Sequence, residues 1–297
     1  MQSYSLKQSF LLVLLAYLVC FLAGYLTLCF LEERFSPLVN MLLADLVATL
    51  VIYLFSLGVK NASMYDAYWS VIPMGIVVYW MSLSSNPTSI KNLLLFIAVW
   101  YWGIRLTINW CRGWNGLQHQ DWRYTMLKEK NPSLYWLTNL GGIHLFPTVM
   151  VFLSLIPAYY ITESQNTAIS SLLIVGFLIS IFGTTIEFVA DEQMRRFRKA
   201  AKPKTYINEG LWKYSRHPNY FGEITFWLGL FVMQLGVLSP FFWWTGIGVF
   251  LLTLMFLFIS IPMMDNRSLQ SRPSYTEQMK RVSALLPLPP KSNFPKS

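Results

Sequence analysis

The run Phe10–Leu31, FLLVLLAYLVCFLAGYLTLCFL, decides the fold class, because it contains no charged residue. A helix needs about 20 consecutive apolar residues to cross the hydrocarbon core of a bilayer. No small-residue cleavage site follows a short apolar core, so we interpret the run as a retained span rather than a signal peptide. Similar runs predict eight spans in all, at residues 10–31, 39–57, 67–84, 91–110, 143–161, 168–190, 220–237 and 241–263.

The composition of the whole chain agrees with this interpretation. Hydrophobic residues make up 55% of the 297 residues and charged residues only 12%, whereas a soluble domain carries roughly a quarter charged residues. We therefore expect an all-α polytopic membrane protein with seven or eight transmembrane helices. We also expect residues 1–297 to form a single integral membrane domain.

The distribution of Lys and Arg predicts the orientation of the chain. Of the 23 basic residues, 20 fall in segments that the predicted spans place on one side, and such a bias marks the cytosol. The membrane is then a bacterial inner membrane, or the endoplasmic reticulum in a eukaryote. The net charge of +9 fits loops near anionic lipid or a phosphate-bearing cofactor, and we predict no nucleic-acid partner.

Cysteine and histidine residues give no sign of a disulfide framework or a metal site. The three cysteines include no CxxC pair, and His119, His144 and His217 are scattered without an i,i+4 pair. The sequence likewise shows no obligate protein partner. Polar chemistry must therefore be sought among charged residues that fall at or near membrane depth, where each is costly unless it faces a cavity or a partner.

Two such groups lie in the first half of the chain. Asp66, in SMYDAYW, is either an interfacial loop residue or a buried carboxylate that orients a catalytic hydroxyl. Arg105, Asn109 and Arg112 are spaced i, i+4, i+7 and share one helix face. Snorkelling to the interface is the alternative for this stripe, but it suits Arg105 poorly because Arg105 is some two turns deeper. Downstream, the stretch 120–124, QDWRY, interleaves charges with aromatic residues.

A third group marks the cytosolic end of the sixth predicted span. Glu187, Asp191, Arg195 and Arg198 are spaced i, i+4, i+8, i+11 and again share one face. They are either surface ion pairs or a ladder that holds a polar cofactor. In the second case carboxylates would bind amide or hydroxyl groups, and arginines would bind phosphates.

The densest polar cluster is the stretch 210–223, GLWKYSRHPNYFGE. Pro218 favours an extended residue before it and a helix start after it. Asn219 and Glu223 then lie one turn apart on a helix that enters an apolar span. An ordinary basic helix cap is the alternative, but a glutamate inside a span beside Arg, His and Asn makes the cluster too polar for that.

This stretch resembles a motif shared by steroid 5-alpha-reductases, sterol C14-reductases and isoprenylcysteine carboxyl methyltransferases. SMYDAYW, WGIRL, DWRY and the Glu187–Arg198 face together look like the steroid 5-alpha-reductase family and its bacterial relatives. The resemblance implies a reductase-like catalytic core over residues 63–297, with 1–58 as variable N-terminal spans. It implies cytosolic loops that close over an NADPH site, because the family reduces the 4,5 double bond of 3-oxo-4-ene steroids with NADPH.

The resemblance also implies roles for individual residues. Asp66 would be the carboxylate beside the substrate ketone, and Tyr101 the hydroxyl that donates to it. Asp265, Asn266 or Arg267 would replace the cofactor contacts of a His-rich stretch that this tail lacks. The remaining cofactor-binding residues would be Arg105, Arg112, Asp121, Arg123, Glu187, Asp191, Arg195, Arg198, Tyr214, Arg216, His217, Asn219, Tyr220 and Glu223.

The chemistry expected is hydride transfer to the β carbon of a lipophilic, steroid-like enone that enters from membrane lipid. A tyrosine oriented by a carboxylate would stabilise the charge that develops on the ketone oxygen. No GxGxxG motif follows a strand, so the cofactor site is not expected to be a Rossmann fold. Two alternatives remain open: an S-adenosylmethionine-dependent membrane methyltransferase of the isoprenylcysteine carboxyl methyltransferase type, and a non-catalytic sterol or lipid binder.

Overall fold

The computed structural model describes residues 4–32, 34–166, 168–200, 205–238 and 242–291. Over these residues it contains helices and no β-strand, apart from one isolated bridge between Ser215 and Ser283. The α-helices are α1 (Leu6–Leu31), α2 (Pro37–Val59), α3 (Tyr68–Leu83), α4 (Ile90–Gly113), α5 (Trp122–Lys130), α6 (Tyr135–Thr138), α7 (Phe146–Glu163), α8 (Ser171–Ala200), α9 (Pro218–Leu235), α10 (Ile247–Met255), α11 (Ile261–Ser271) and α12 (Tyr275–Arg281).

Two pairs of consecutive α-helices are joined by π-helical stretches. The π-helix Asn139–Leu145 joins α6 to α7, and the π-helix Phe256–Ser260 joins α10 to α11. Short 3-10 helices lie at Ala62–Tyr65, Gly210–Lys213 and Trp243–Gly246.

Within the described residues, six of the helical segments are long and apolar enough to cross a membrane, by length and composition. They are Leu6–Leu31, Pro37–Val59, Ile90–Gly113, Tyr135–Glu163, Ser171–Ala200 and Trp243–Ser271. The protein is an all-α polytopic membrane protein, as the sequence predicts. The predicted spans 67–84 and 220–237 are also helical, as α3 and α9. At 16 residues α3 is about 24 Å long, shorter than the roughly 30 Å core, and the first turns of α9 are polar.

A few predicted features fall on residues outside the described part of the chain. These are position 241, where the last predicted span begins, and Lys202 and Lys204 of the basic segment before the Gly210 motif.

Local sequence signals set the ends of the first helices. Ser5 and Gln8 form a capping box at the start of α1, which satisfies two backbone donors that the helix leaves free. Ser36 caps α2 and Pro37 occupies its first turn, where a missing N–H costs nothing. The left-handed conformation of Lys60, with φ of 56°, ends α2.

The chain divides into two compact units. Unit 1 contains residues 1–87 and 103–163, and unit 2 contains residues 88–102 and 164–297, so that α4 contributes to both. The core of unit 1 includes large buried aromatic side chains such as Tyr65, Tyr68 and Trp80. The prediction of a single membrane domain over the whole chain stays a prediction.

Unit 2 is built on the close packing of α8 along α9. Glycines recur every seven residues on both helices, Gly176 and Gly183 on α8, and Gly222, Gly229 and then Gly236 at the end of α9. A Cβ atom at Gly183 would lie 2.5 Å from the backbone nitrogen of Phe226 and 2.6 Å from the carbonyl oxygen of Gly222. The two backbones are therefore in direct contact, the arrangement that small residues permit in membrane helices.

Candidate functional site

Two of the polar sequence motifs, SMYDAYW and QDWRY, meet in unit 1. The amide nitrogen of Asn61 donates to the carbonyl oxygens of Leu117 (2.8 Å) and His119 (3.2 Å). The backbone nitrogen of Asp121 donates to the hydroxyl of Ser63 at 2.9 Å. These contacts hold the 3-10 turn before Asp66 against the loop before α5, although the two segments are 58 residues apart in sequence.

The contact at the centre of this junction joins Asp66 to Tyr124. The phenolic hydroxyl of Tyr124 donates to Oδ1 of Asp66 at 2.7 Å. Burial raises the pKa of Asp66 to about 6, although the Tyr124 hydrogen bond and the charge of Arg123 both oppose that rise. Burial also raises the pKa of Tyr124 well above its ordinary value, so its hydroxyl remains protonated. The pair combines a permanent O–H donor with a carboxyl group that titrates near neutrality.

Asp121 and Arg123 complete this cluster. The Asp121 carboxylate caps α5 by accepting from the Arg123 backbone nitrogen, and it binds Nε and Nη2 of the Arg123 side chain at 2.8 and 3.1 Å. A paired guanidinium of this kind holds its position while it adds positive potential beside Asp66. The structure places both residues next to the Asp66–Tyr124 pair, and their predicted contact with a cofactor stays a prediction.

Asp66 makes the stability of the fold depend on pH. Its pKa is about 6 in the folded protein against an ordinary value of 3.8, so the folded chain binds the proton more tightly than the unfolded chain. Stability is then lost as pH rises from about 4 to about 6. We expect the unfolding temperature of the detergent-solubilised protein to fall over this range, and Asp66→Asn to remove that part of the slope. Identical slopes in both proteins would contradict the assignment.

The polar stripe on α4 is only partly buried. Arg105 is 6% exposed, which argues against snorkelling, whereas Asn109 and Arg112 are exposed. Tyr101, predicted as the catalytic donor, is 36% exposed and its hydroxyl lies 3.3 Å from that of Thr185, within unit 2. The hydroxyl that Asp66 binds is therefore that of Tyr124. This residue ends the QDWRY stretch, and the sequence alone predicted no role for it.

The predicted ladder on α8 lies on a single helix, since α8 continues to Ala200. Glu187 is buried and packs beside Gly222, while Asp191 is partly exposed. Arg195 is paired with Glu192 at 2.6 Å, a surface ion pair at i,i+3 with a residue outside the predicted face. Arg198, one turn further, is exposed. Of this group, Glu187, Asp191 and Arg198 remain candidates for ligand contact.

The start of the Gly210 motif docks on the end of α8. Gly210 has a φ of +57°, a left-handed conformation that glycine adopts without strain. The next residue, Leu211, donates its backbone N–H to the side chain of Gln193 at 2.9 Å, and the Trp212 indole donates to the carbonyl of Ala190 at 3.0 Å. Tyr214, predicted to bind the cofactor, is 40% exposed just beyond this anchor.

A buried carboxylate from α11 binds the next two residues of the motif. Asp265 accepts from Nη2 of Arg216 at 2.8 Å and from the hydroxyl of Tyr275 at 2.8 Å, and it lies 3.0 Å from Nε2 of His217. Arg216 also donates to the carbonyls of Met279 and Val282. Arg216 and His217 are thus held by the C-terminal segment. The sequence signal for Asp265 was a lone acidic residue at the end of an apolar run.

Three predicted residues of α9 differ in what they contact. Tyr220 stacks between the rings of His217 and Phe256, at centroid distances of 5.2 and 4.6 Å. Glu223 is buried and accepts from the indole nitrogens of Trp102 (3.0 Å) and Trp227 (2.7 Å), so both of its oxygens are satisfied internally. The side-chain oxygen of Asn219 is buried without a hydrogen-bond partner, and no side chain caps the start of α9.

Comparison with known proteins gives a family match over most of the chain. Residues 52–282 match a family described as "Protein of unknown function (DUF1295)". The chain belongs to this family. The DUF1295 match contains every cluster described above, from Asp66 to Asp265, and begins inside α2.

The chain is also similar to an uncharacterized protein, C594.04c, of Schizosaccharomyces pombe. It is 24% identical over 221 residues, which cover 66% of this chain. The chain matches 64% of that relative's own length. No solved structure gives a significant match to this DUF1295 protein.

Proposed function

We propose that this protein is an NADPH-dependent reductase of a lipophilic enone, such as a 3-oxo-4-ene steroid taken from the bilayer. The observation that carries the proposal is the 2.7 Å hydrogen bond from Tyr124 to the half-buried carboxyl of Asp66. Reduction of an enone places negative charge on the ketone oxygen, and an O–H donor aimed at that oxygen stabilises it. Methyl transfer to a carboxylate creates no such charge, and a lipid binder needs no titrating partner for its donor.

The roles of this pair depend on the protonation state of Asp66. When Asp66 is ionised it accepts the Tyr124 hydrogen, so the hydroxyl is occupied. When Asp66 is protonated it can donate to the Tyr124 oxygen, which frees the Tyr124 hydrogen for a ketone. Tyr124 then supports the enolate that forms as the β carbon gains a hydride, and a proton added at the α carbon completes the saturated ketone. The protonated form of Asp66 is therefore the active one in this proposal.

Unit 2 supplies residues that suit a nicotinamide dinucleotide. The unpartnered oxygen of Asn219 at the uncapped start of α9 can accept from a carboxamide, and the N–H groups of that helix end favour an anion. Asp191 and the exposed Arg198 on α8 suit ribose hydroxyls and phosphate. In this proposal NADPH supplies the hydride. The side chains of Arg216, His217 and Glu223 are bound internally. These residues would therefore hold the start of α9 in place rather than contact the cofactor.

The proposal also includes the location of the reaction. The basic segments of the sequence favour the cytosolic side, where NADPH is available, of a bacterial inner membrane or of the endoplasmic reticulum. The lipophilic substrate would come from the bilayer.

Thermal stabilisation by candidate cofactors tests this function directly. A ligand at about 100 times its Kd adds roughly 2.7 kcal/mol if it binds only the folded state. We expect NADPH to raise the unfolding temperature of the detergent-purified protein, and a 3-oxo-4-ene steroid to be reduced in its presence. Stabilisation by S-adenosylmethionine alone would replace the proposal with methyl transfer. Stabilisation by none of NADPH, NADH and S-adenosylmethionine would favour the lipid binder.

A further inference from the structure

A second polar network lies within unit 1, on α2, on α7, at the first residue of α3 and at the end of the 3-10 helix Ala62–Tyr65. It is a chain of five side chains: Asp45, Tyr68, Thr49, Thr148 and Tyr65. Oδ1 of Asp45 lies 3.2 Å from the Tyr68 hydroxyl, which lies 3.4 Å from that of Thr49. The Thr49 hydroxyl is 3.0 Å from that of Thr148, which is 2.8 Å from that of Tyr65. All five residues are buried.

The hydrogen bonds of this chain run in one direction. Tyr68 donates to the Asp45 carboxylate and Thr49 donates to Tyr68. A hydroxyl has a single hydrogen to donate, so Thr148 must donate to Thr49, and Tyr65 must in turn donate to Thr148. Every hydroxyl therefore gives one hydrogen bond and receives one, except Tyr65 at the far end. Chains ordered in this way polarise one another, and reversing them moves one proton from end to end.

Asp45, at one end, has the properties of a proton-exchanging group. It is 7% exposed on α2, and no salt bridge joins it to a basic residue in the described part of the chain. Tyr68, Tyr65 and, on α1, Cys20 are the titratable groups that face it. An ionised carboxylate in this setting is costly, so a proton is readily taken up. A cavity of about 10 Å³ beside Asp45, Tyr65, Tyr68 and Thr148 is about the size of one water.

His144 lies at the other end of the chain, in the π-helix Asn139–Leu145. Its Nδ1 atom is 2.9 Å from the carbonyl oxygen of Asn139, and since a carbonyl only accepts, Nδ1 carries the hydrogen. Its Nε2 atom is then an acceptor, buried completely and without a hydrogen-bond partner. The His144 ring packs against Tyr65, at a centroid distance of 4.9 Å, and against Tyr53 at 5.5 Å. A buried acceptor of this kind calls for a donor.

We propose that these residues form a buried proton-transfer chain between Asp45 and His144. The transfer starts with Asp45 protonated and the four hydroxyls turned the other way. The Tyr65 hydroxyl must then turn from Thr148 to Nε2 of His144, a hydrogen bond that forms only in this state because Nε2 has no partner in the structure. Asp45 passes its proton to Tyr68 while each hydroxyl passes its own proton onward, through Thr49, Thr148 and Tyr65. The proton of Tyr65 goes to His144. The products are the Asp45 carboxylate, the His144 imidazolium and a row of hydroxyls that each donate toward Asp45.

This chain is a site of proton binding that is separate from the proposed reduction. None of its members is Asp66 or Tyr124, so the reductase proposal can fail while the proton chain stands, and the reverse. The prediction specific to the chain is that the protonation of Asp45 and that of His144 are coupled through the threonine hydroxyls.

The coupling can be measured on the full-length protein in lipid nanodiscs, labelled with ¹⁵N-histidine, with His144→Gln used to assign the His144 signals. We expect the wild-type His144 signals to show the Nδ1–H tautomer at high pH. We expect Asp45→Asn to move the midpoint of the His144 titration by about one pH unit or more, the size of a directly coupled pair. We expect the same Asp45→Asn change to have no effect in a Thr148→Val background, where the chain is broken.

Thr162→Val provides the matched control, because Thr162 lies on the same helix and its hydroxyl bonds only to its own helix, at Tyr159. If Asp45→Asn does not fold, the His144 titration midpoints of Thr148→Val and Thr162→Val are compared. We expect Thr148→Val to shift that midpoint and Thr162→Val to leave it unchanged. Equal His144 titrations in the wild type and Asp45→Asn would overturn the proposal. A shift of equal size in the Thr148→Val background would also overturn it, since the coupling would then act through space.

Discussion

Replacing Tyr124 with phenylalanine is expected to lower enone turnover by about 10²–10³-fold, the usual cost of removing one donor to a developing oxyanion. The substitution removes a single oxygen, the one that lies 2.7 Å from Asp66, and leaves the ring in place. NADPH should still raise the unfolding temperature of the Tyr124→Phe variant, because Tyr124 belongs to unit 1 and the proposed cofactor residues to unit 2. Steady-state turnover of a 3-oxo-4-ene steroid, with the cofactor thermal shift alongside, gives both results.

Variants of neighbouring residues make this result specific. Asp66→Asn keeps a hydrogen-bond donor toward the Tyr124 oxygen, so we expect partial activity. We also expect the variant to lack the fall in rate that we predict for wild type as Asp66 ionises above about pH 6. Tyr25→Phe, at an exposed position of α1, serves as the control for the Tyr to Phe change. Wild-type turnover by Tyr124→Phe together with collapse in Tyr101→Phe would return the donor role to Tyr101, as the sequence resemblance implies.

Introducing a side chain at Gly183 is expected to disrupt the packing of α8 on α9. Its Cβ would lie 2.5 and 2.6 Å from backbone atoms of α9, and backbone cannot move aside as a flexible side chain can. Overpacking of a well-packed interface costs roughly 1–3 kcal/mol, and we expect Gly183→Ala to lie at the upper end and Gly183→Leu beyond it. Thermal unfolding in detergent, followed by circular dichroism, measures the loss.

Gly58→Ala is the matched control for this prediction. Gly58 is also helical, in α2, but a Cβ there would meet nothing within 4 Å. Alanine has a higher helix propensity than glycine by about 1 kcal/mol, so Gly58→Ala should leave stability unchanged or raise it slightly. Equal losses from both substitutions would show that glycine flexibility, rather than close backbone contact, matters at Gly183.

The sequence predicts the helices well because apolar runs and their polar boundaries are local features. Within the described residues each of the eight predicted spans contains a helix, and the α8 face from Glu187 to Arg198 lies on one helix. The two shortest or most polar of these helices, α3 and α9, fall outside the six that could cross a membrane by length and composition. The length of an apolar run and the polarity of its ends therefore decide whether the helix can cross a membrane, which periodicity alone does not decide.

The partners of the polar residues were harder to predict, because each is set by tertiary packing. Asp66 finds Tyr124 at a separation of 58 residues, and Arg216 finds Asp265 at 49. A motif such as RHPNY identifies residues that matter without separating those that meet a ligand from those bound internally. Glu223 illustrates this, since two tryptophans satisfy it. Asp45 could not be singled out from the sequence for the same reason. It lies alone in an apolar run, and only folding brings hydroxyl groups to it.

The binding of Arg216 and His217 by the C-terminal segment has a consequence for biosynthesis. The backbone nitrogen of Arg216 bonds to the carbonyl of Ser283, and that of Leu288 to the carbonyl of Tyr214. During translation these contacts cannot form until the last of those residues has left the ribosome, by which time α8 and α9 have already been synthesised. The beginning of α9 must therefore wait in an incomplete form, and nascent chains stalled before residue 283 should be degraded faster than those released after residue 288.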